Sequence, residues 1–473
     1  MDALSNRMAR LSSVADDKKL MLQEILQPLY LSEETIKRIM DTMEDQMRLA
    51  TSKDEATRKK SDILMAITHV RCLLDGRENG DFLGLDLGGT NFRVVHVNLK
   101  DGVATTNTKY YSLTEEVLSG PCAGVFDFIA LSIEDFLKQE NLISSEQKLP
   151  LGFTFSFPST QIALNSAILL TWTKSFKCPD GVGQDSVKLL EEAISRKSPN
   201  LPVDIVAVMS DTTSTLMAGN YLDKKCRIGV ILGTGSNAAF VEHLENIEKY
   251  TGDFKEPKQV LVNVEWGCMG DGGCLDFYKT EFEKEVDQYS NHVNSFTFEK
   301  SFAGMYLGEF VRLVLVKLTK QGVLFNGQVT EELATRWKFT SGFVTEIDSD
   351  KGNDTAKTRQ ILEKMKLEKL ATDEDVAIVR EVCDFVVQRA SYIVAAALAV
   401  LIRHVNLPEV TVAIDGSLYE HHPKFHNYMM ELISQLNLHT QVKLILAKDG
   451  SGQGAAFAAV AGLRQKEENI VSS

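Results

Sequence analysis

The sequence predicts an α/β fold built as two related lobes, and three observations carry that expectation. Apolar strands ending in glycine turns alternate with helical stretches along the whole chain, which is the mark of an α/β architecture. A strand running into a glycine-rich turn occurs twice, at Gly88 and at Gly233, with Gly84 matching Gly229 and Leu87 matching Leu232. The chain has 473 residues, 44% of them hydrophobic and 25% charged. That is ordinary for a globular protein and longer than the ~100–200 residues of one domain.

Taken in order, residues 1–72 read as helical. Val14 to Leu31 carries Leu20, Ile25 and Leu26 at helical spacing, and Ser32-Glu33-Glu34 opens a second amphipathic segment with Ile36, Ile39 and Met43. Phe82 to Val97 reads as strand, Gly-Gly turn and strand, a hairpin signature. Helices are predicted over Val125–Glu140 and Ser186–Arg196, and strands over Leu151–Phe157 and Asp204–Met209. Ile228 to Leu232 is the strand before the second glycine turn. After Asp271 the chain reads as mostly helical from Leu275 to about Lys320, followed by a charged, exposed region near 346–375 and an Ala-rich helix over 385–403. Strands Val410–Ile414 and Val442–Ala447 each run into Asp-Gly-Ser, at 415–417 and 449–451, and the second opens a helix near Gly452.

Composition excludes several classes. A net charge of −14 disfavours nucleic acid and anionic membranes, which are bound through basic clusters. It leaves room for a small anion held by backbone amides. Seven dispersed cysteines with no Cys-x-x-Cys pair argue for reduced thiols rather than disulfides or structural zinc. His422 and His426 stand one helical turn apart without a third ligand nearby, so no metal site is expected there. The longest apolar run, Tyr392 to Ile402, falls short of the ~20 residues of a membrane helix, and no secretory signal opens the chain. A soluble, cytoplasmic protein is the expectation. There is no Gly-Lys pair, hence no P-loop, and no Gly-x-Ser-x-Gly elbow.

The turns could carry chemistry. Asp86-Leu-Gly-Gly-Thr-Asn91 sets a carboxylate on a strand end before bare amides suited to phosphate oxygens, although taken alone it reads better as an ordinary hairpin turn. Gly233-Thr234-Gly235 adds a hydroxyl between two glycines. Asp211 follows the strand Asp204–Met209, where open α/β sheets bind ligands, and it also suits a helix N-cap. Ser156, Thr173, Lys174, Asn237 and Glu265 are polar groups beside aromatic or apolar neighbours, the mixture a polyhydroxylated ligand requires.

Together these segments closely resemble the hexokinase family, of the actin-like ATPase (ribonuclease H-like) superfold, over about residues 75–462. Leu151-Gly-Phe-Thr-Phe-Ser-Phe-Pro158, Leu164, Asn165, Leu169 and Trp172-Thr-Lys-Ser-Phe176 follow the family's sugar-binding signature. Asp86–Asn91 looks like its first phosphate motif, Gly233–Asn237 like its second, and Val412-Ala-Ile-Asp-Gly-Ser417 like its adenosine motif. The resemblance implies a deep cleft between the lobes and transfer of phosphoryl from ATP, with Mg²⁺, to the 6-hydroxyl of a hexose. Asp211 would be the general base, Lys174 would offset charge on the transferring group and Thr234 would donate to it. Ser156, Thr173, Lys174, Ser210, Asp211, Asn237, Glu265 and Glu299 would line the sugar. Asp86, Gly88, Gly89, Thr90, Asn91, Gly233, Thr234, Gly235, Thr335, Gly416 and Ser417 would bind nucleotide, with Asp86 and Asp211 near the metal through water.

Four departures stand out. Ser210 replaces the family's Asn before the base, and Met65–Leu74 lacks the hinge's usual Pro and aromatic. Trp337 stands where a Gly follows Thr335-Arg336 in the family. Lys448 and Gln453 replace an acidic and a basic residue around the last glycine turn. The expected small lobe spans 75–210 plus 451–473, and the large lobe 1–74 plus 211–450, as one monomeric catalytic unit with a dimer as second choice. The alternative function is a sugar-binding regulator on the same scaffold with little catalysis.

Overall fold

The computed structural model describes residues 3–88, 91–144, 147–173 and 176–471. Gly89, Thr90 and Lys174, three of the expected site residues, lie outside this set, as does the side chain of Asn91. Thirteen strands are present among the described residues: β1 Ala66–Ile67, β2 Gly80–Leu87, β3 Asn91–Lys100, β4 Val103–Ser112, β5 Leu149–Phe155, β6 Ser159–Ala163, β7 Ser166–Leu169, β8 Val203–Met209, β9 Cys226–Leu232, β10 Ser236–His243, β11 Gln259–Asn263, β12 Glu409–Asp415 and β13 Gln441–Leu446.

These strands build two mixed sheets with one topology. The first runs β4-β3-β2-β5-β8, and the second runs β11-β10-β9-β12-β13 with β1 added outside β11. In each, the first three strands in chain order form an antiparallel meander and the last two join in parallel on the other side of the first. The Gly88/Gly233 repeat is thus a repeat of whole sheets. Its outlying match, Gly84 with Gly229, has a steric reason. A Cβ on Gly84 would stand 2.6 Å from the Gly452 carbonyl of the helix Gly450–Val471. A Cβ on Gly229 would stand 2.5 Å from the Leu216 amide of the helix Asp211–Leu222. Each helix lies against the first strand of one sheet at a distance only glycine permits.

The same two helices meet each other. A Cβ on Gly454 would collide with the Ser214 backbone, and Tyr221 stacks on Phe457 at 4.7 Å. The layers therefore run sheet, helix, helix, sheet.

Outside these layers, the helix Glu33–Thr51 starts where expected, with the Ser32 hydroxyl accepting the Thr35 amide at 3.1 Å. The Ala-rich helix is longer than predicted, Asp373–Val405, because Thr372 and Asp375 form a reciprocal capping box that starts it upstream of the expected residue 385. It is long and apolar enough to cross a membrane by length and composition, but 89% of its apolar window is buried inside the protein, so it is the spine of the core. The charged stretch near 346–375 is exposed at many positions, as expected, but it carries two helical segments, Ser341–Asp348 and Ala356–Lys364, and buries Ile347, Ile361, Leu362, Met365 and Leu367. A few apolar residues at helical spacing among many charges were enough to dock it. The first 72 residues are likewise not all helix, since β1 pairs with β11.

Candidate active site

Parallel pairing lines up the ends of β2, β5 and β8. Asp86 lies opposite Thr154, and Thr154 opposite Met209. Asp86, Ser156 and the Ser210-Asp211 pair therefore emerge at one edge of the first sheet, the carboxyl ends of its parallel strands, where ligands of open α/β sheets sit. The Ser156 amide donates to the Leu87 carbonyl at 3.4 Å, which ties this row together. Thr173 follows on a half-buried loop pinned by an aromatic cluster: Trp172 stacks on Phe176 at 5.1 Å and meets Phe157 edge-on at 4.8 Å.

Asp86 is 8% exposed and is held through one carboxylate oxygen. Arg93 donates to its Oδ2 through Nη2 at 2.7 Å and Nε at 2.8 Å, and the Ser451 hydroxyl donates at 2.9 Å. Arg93 also pairs with Asp449 at 2.9 Å and reaches Ser451. Sequence reading overlooked Arg93, although its place directly opposite Asp86 in the hairpin follows from the register. Gly88 is half-buried just beyond.

The second glycine turn joins β9 to β10. The Gly233 carbonyl accepts the Gly304 amide at 2.8 Å and the Thr234 carbonyl accepts the Met305 amide at 3.0 Å, so the helix Gly304–Lys320 begins on this turn. Gly416, at φ +122°, packs its Cα side onto Leu232 and Gly233 where any side chain would collide, and Ser417 follows it exposed. Gly233, Thr234, Gly235, Gly416 and Ser417 thus form one cluster at the carboxyl ends of β9 and β12. Burial pushes the Asp415 carboxyl there up to about 6. Thr335 is exposed, its hydroxyl donating to the Glu331 carbonyl at 2.7 Å.

Asp211 opens the helix Asp211–Leu222, but the cap is Ser210, whose hydroxyl accepts the Thr213 amide at 3.4 Å. The capping role that the sequence allowed for Asp211 is therefore taken by its neighbour. Asp211 accepts the Thr212 amide at 2.8 Å, and the Thr212 hydroxyl donates to Asn263 Oδ1 at 3.0 Å. Asn237 donates to that same oxygen at 2.9 Å and to Glu265 Oε1 at 2.9 Å, while Asn263 donates to Glu265 Oε1 at 2.5 Å. Asn263 was not among the sequence candidates, because an amide ending an apolar strand has no local signature.

Glu265 adopts the left-handed conformation at φ 55°. Burial, with the charge of Asp211 adding to it, raises its carboxyl above the ordinary range. Glu299 accepts the Ser236 amide at 3.0 Å, one residue from Asn237. Its carboxyl is pushed up to about 7 by burial first, with the charges of Glu265 and Asp271 reinforcing the shift. Gly235 and Gly267 face it, and a Cβ on Gly235 would stand 3.0 Å from Glu299 Oε2. Glu265 and Glu299 both retain open surface. The arrangement offers a row of carboxylate acceptors and amide groups oriented by one another, suited to several hydroxyls of one small ligand. Among the described residues, no group of three or more His, Cys, Asp or Glu is arranged to hold a metal.

Two family models, both described as hexokinase, match residues 21–221 and 227–461. Hexokinase-1 of Bos taurus is 38% identical over 460 residues, 95% of this chain and 49% of its own length. Hexokinase-2 of Homo sapiens is 40% identical over 454 residues, 94% of this chain and 48% of its own. The chain spans about half the length of these curated relatives. A structure of the hexokinase from Schistosoma mansoni complexed with glucose superposes with a TM-score of 0.82 at 36% identity, covering 97% of this chain and all of that one. A second hexokinase crystal structure matches with a TM-score of 0.84 at 27% identity over 95% of this chain and all of its own. The α/β architecture is accordingly the actin-like ATPase fold of those structures, and the chain belongs to the hexokinase family.

Proposed function

We propose that this protein transfers the terminal phosphoryl of ATP to the 6-hydroxyl of glucose and related hexoses, the reaction that opens glycolysis. The observation that supports the reading is the hydrogen-bonded chain running from Asp211 through Thr212 to Asn263, Asn237 and Glu265, with Glu299 on the Ser236 amide next to it. Asp211 accepts the hydroxyl proton, and Glu265, Glu299 and Asn237 fix the ring hydroxyls. Ser156 and Thr173 approach from the first sheet, and Lys174, which lies outside the described residues, would offset charge on the transferring group. Phosphoryl transfer needs positioning and charge neutralisation more than covalent chemistry. Thr234 and the amides of the Gly233 and Gly416 turns suit the phosphates, and Arg93 supplies a fixed cation beside Asp86.

Mg²⁺ favours oxygen ligands and keeps several waters. Asp86 and Asp211, each at the carboxyl end of a strand of the first sheet, would hold it through such waters, and it would neutralise the transferring phosphates. Asp86 is already oriented by three donors from Arg93 and Ser451, which fits a carboxylate that meets the ion through water rather than directly.

We also propose a cytoplasmic monomer, with a small lobe of 75–210 plus 451–473 and a large lobe of 1–74 plus 211–450. A sugar-binding regulator with little turnover remains as second reading, favoured by one observation: the Ser210 hydroxyl is spent on the helix start rather than aimed at a ligand. A coupled assay of sugar-dependent ADP release over glucose, mannose and fructose decides. Turnover supports the kinase, whereas sugar binding without turnover overturns it in favour of the regulator.

A further inference from the structure

Glu299 ends a loop that neither a strand nor a long helix supports. Between the helix Glu281–Gln288 and the single turn Glu299–Ser301 the chain forms only turns and bends, and Asn294 and Phe296 adopt φ of 59° and 58°. Left-handed residues of this kind persist where their surroundings impose them. Two carboxylates do so here. Asp271 accepts the Phe296 and Thr297 amides at 3.1 and 2.9 Å, and Asp287 accepts the Asn294 amide at 3.0 Å. Phe298, wholly buried, meets Trp266 edge-on at 5.8 Å and anchors one side of Glu299.

Lys300 anchors the other side, and it is only 3% exposed. Lysine is almost never so buried unless it is paired. Its ammonium donates to Asp287 Oδ1 and to the His292 carbonyl, each at 2.5 Å. The wall around it carries Asp276 paired with Lys279 at 2.8 Å, Glu283 paired with Arg389 at 2.5 Å, and an exposed Lys284. Stability alone does not account for the Lys300–Asp287 pair, because apolar side chains of similar volume often fill such a place at no greater cost. The charge has a use one residue away. Glu299 faces the negative charges of Glu265 and Asp271, and Lys300 is the cation that opposes them. Tyr306 and Cys268 also lie in this field, but both are pushed up to about 12 and bring no charge near neutral pH.

We propose that Lys300, fixed by Asp287, is a positioning residue for sugar capture: its buried charge holds Glu299 as the carboxylate that accepts sugar hydroxyls. This rests on the kinase reading above, in which Glu299 meets the sugar, and Lys300 acts through that neighbour. An opposite charge in contact with a carboxyl favours the ionised form by ~1–3 pH units. Removing it therefore moves upward the pH at which glucose affinity begins to fall.

The test is calorimetric titration of the whole protein with glucose, without ATP, from pH 5.5 to 9, on the unaltered chain and on K300M, K300R and E299Q. In K300M the pH midpoint of glucose affinity should rise by at least about half a unit, allowing for separation beyond contact. Affinity should then be about three-fold weaker than in the unaltered protein at pH 6 and equal to it at pH 9. K300R keeps a cation and should keep the midpoint. E299Q should lose both the midpoint and affinity at pH 9. K300M leaves Asp287 without its partner, whereas K300M/D287N strands neither group and serves where the single variant does not fold. Its midpoint should rise as well, since Lys300 adjoins Glu299 and opposes its neighbours' charges. An unmoved midpoint in K300M or in the double variant, or an equal loss at pH 6 and pH 9, would make Lys300 a packing residue and overturn the proposal. No glucose binding by the unaltered protein, or undiminished affinity at pH 9 in E299Q, would overturn it through the kinase reading instead.

Discussion

Glu299 should make sugar binding depend on pH in the neutral range. Its carboxylate accepts one amide, from Ser236, and faces the negative charges of Glu265 and Asp271, with Lys300 partly offsetting them. Tyr306 and Cys268 also lie within its field. Burial and these charges push it up to about 7 from an ordinary 4.5. Sugar hydroxyls donate to the ionised form, so a proton on Glu299 must leave before the full set of contacts forms. Below the folded value, each pH unit then costs about tenfold in affinity, or about 1.4 kcal/mol. The dissociation constant should be flat above about pH 8 and roughly tenfold weaker at pH 6. Stability moves the opposite way. The folded state binds more protons than the unfolded one between about 4.5 and 7, so this carboxyl's contribution declines as pH rises through that window. Calorimetric titration with glucose from pH 5.5 to 8.5, in buffers of different ionisation enthalpy, reads both the affinity and the released proton. Glu299→Gln should flatten the profile. A flat profile in the unaltered protein, or a slope retained in Glu299→Gln, would refute the reasoning.

Asp211→Ala should lower turnover by about 10²–10⁴ with little change in unfolding midpoint, because Ser210 and not Asp211 caps the helix; steady-state kinetics and thermal melting check both halves. Ser210→Asn keeps a good N-cap and restores a longer amide, so the sugar KM should fall a few-fold, as one neutral hydrogen bond of about 0.5–1.5 kcal/mol allows; an unchanged or raised KM would argue against a sugar contact at 210. His404 sits between Glu242 and Glu44 at 2.8 Å each, and although burial opposes its charge these partners push it up to about 9. Its stabilisation is therefore complete below about 6.5 and lost as pH rises through about 9, and His404→Gln should narrow the gap in melting temperature between pH 7 and pH 10. Saturating glucose without ATP should change intrinsic fluorescence and shrink the radius of gyration in solution scattering, as expected if two lobes that each carry a phosphate turn close around one triphosphate; glucose binding with neither change would favour a static regulator.

What the sequence revealed and what it hid divide along the range of the interactions. The duplicated strand-and-glycine-turn was visible because both copies answer the same local demands, a hairpin whose first strand a helix must approach closely, and it became two sheets of matching order, with β1 added to the second. Ser32 was legible as a cap for the same reason: its partner, Thr35, lies three residues away. Asp211 was found at a strand end, but whether it or Ser210 capped the helix depended on one residue of register that composition does not reveal. Arg93 could have been found by pairing the hairpin residue by residue, since it stands directly across from Asp86. Asn263 could not. Its meaning comes from Thr212, Asn237 and Glu265, and all but the last are distant in the chain. The stretch near 346–375 was read only in part, for a related reason. Its charges dominate the text, whereas Ile347, Ile361 and Leu362 decide the packing, and burying a side chain of that size stabilises by about 1.5–3 kcal/mol. Surface charges contribute little by comparison. A segment can thus be charged by count and buried by energy. A site can likewise be specified by residues such as Asn263, whose own neighbours in the sequence say nothing about it.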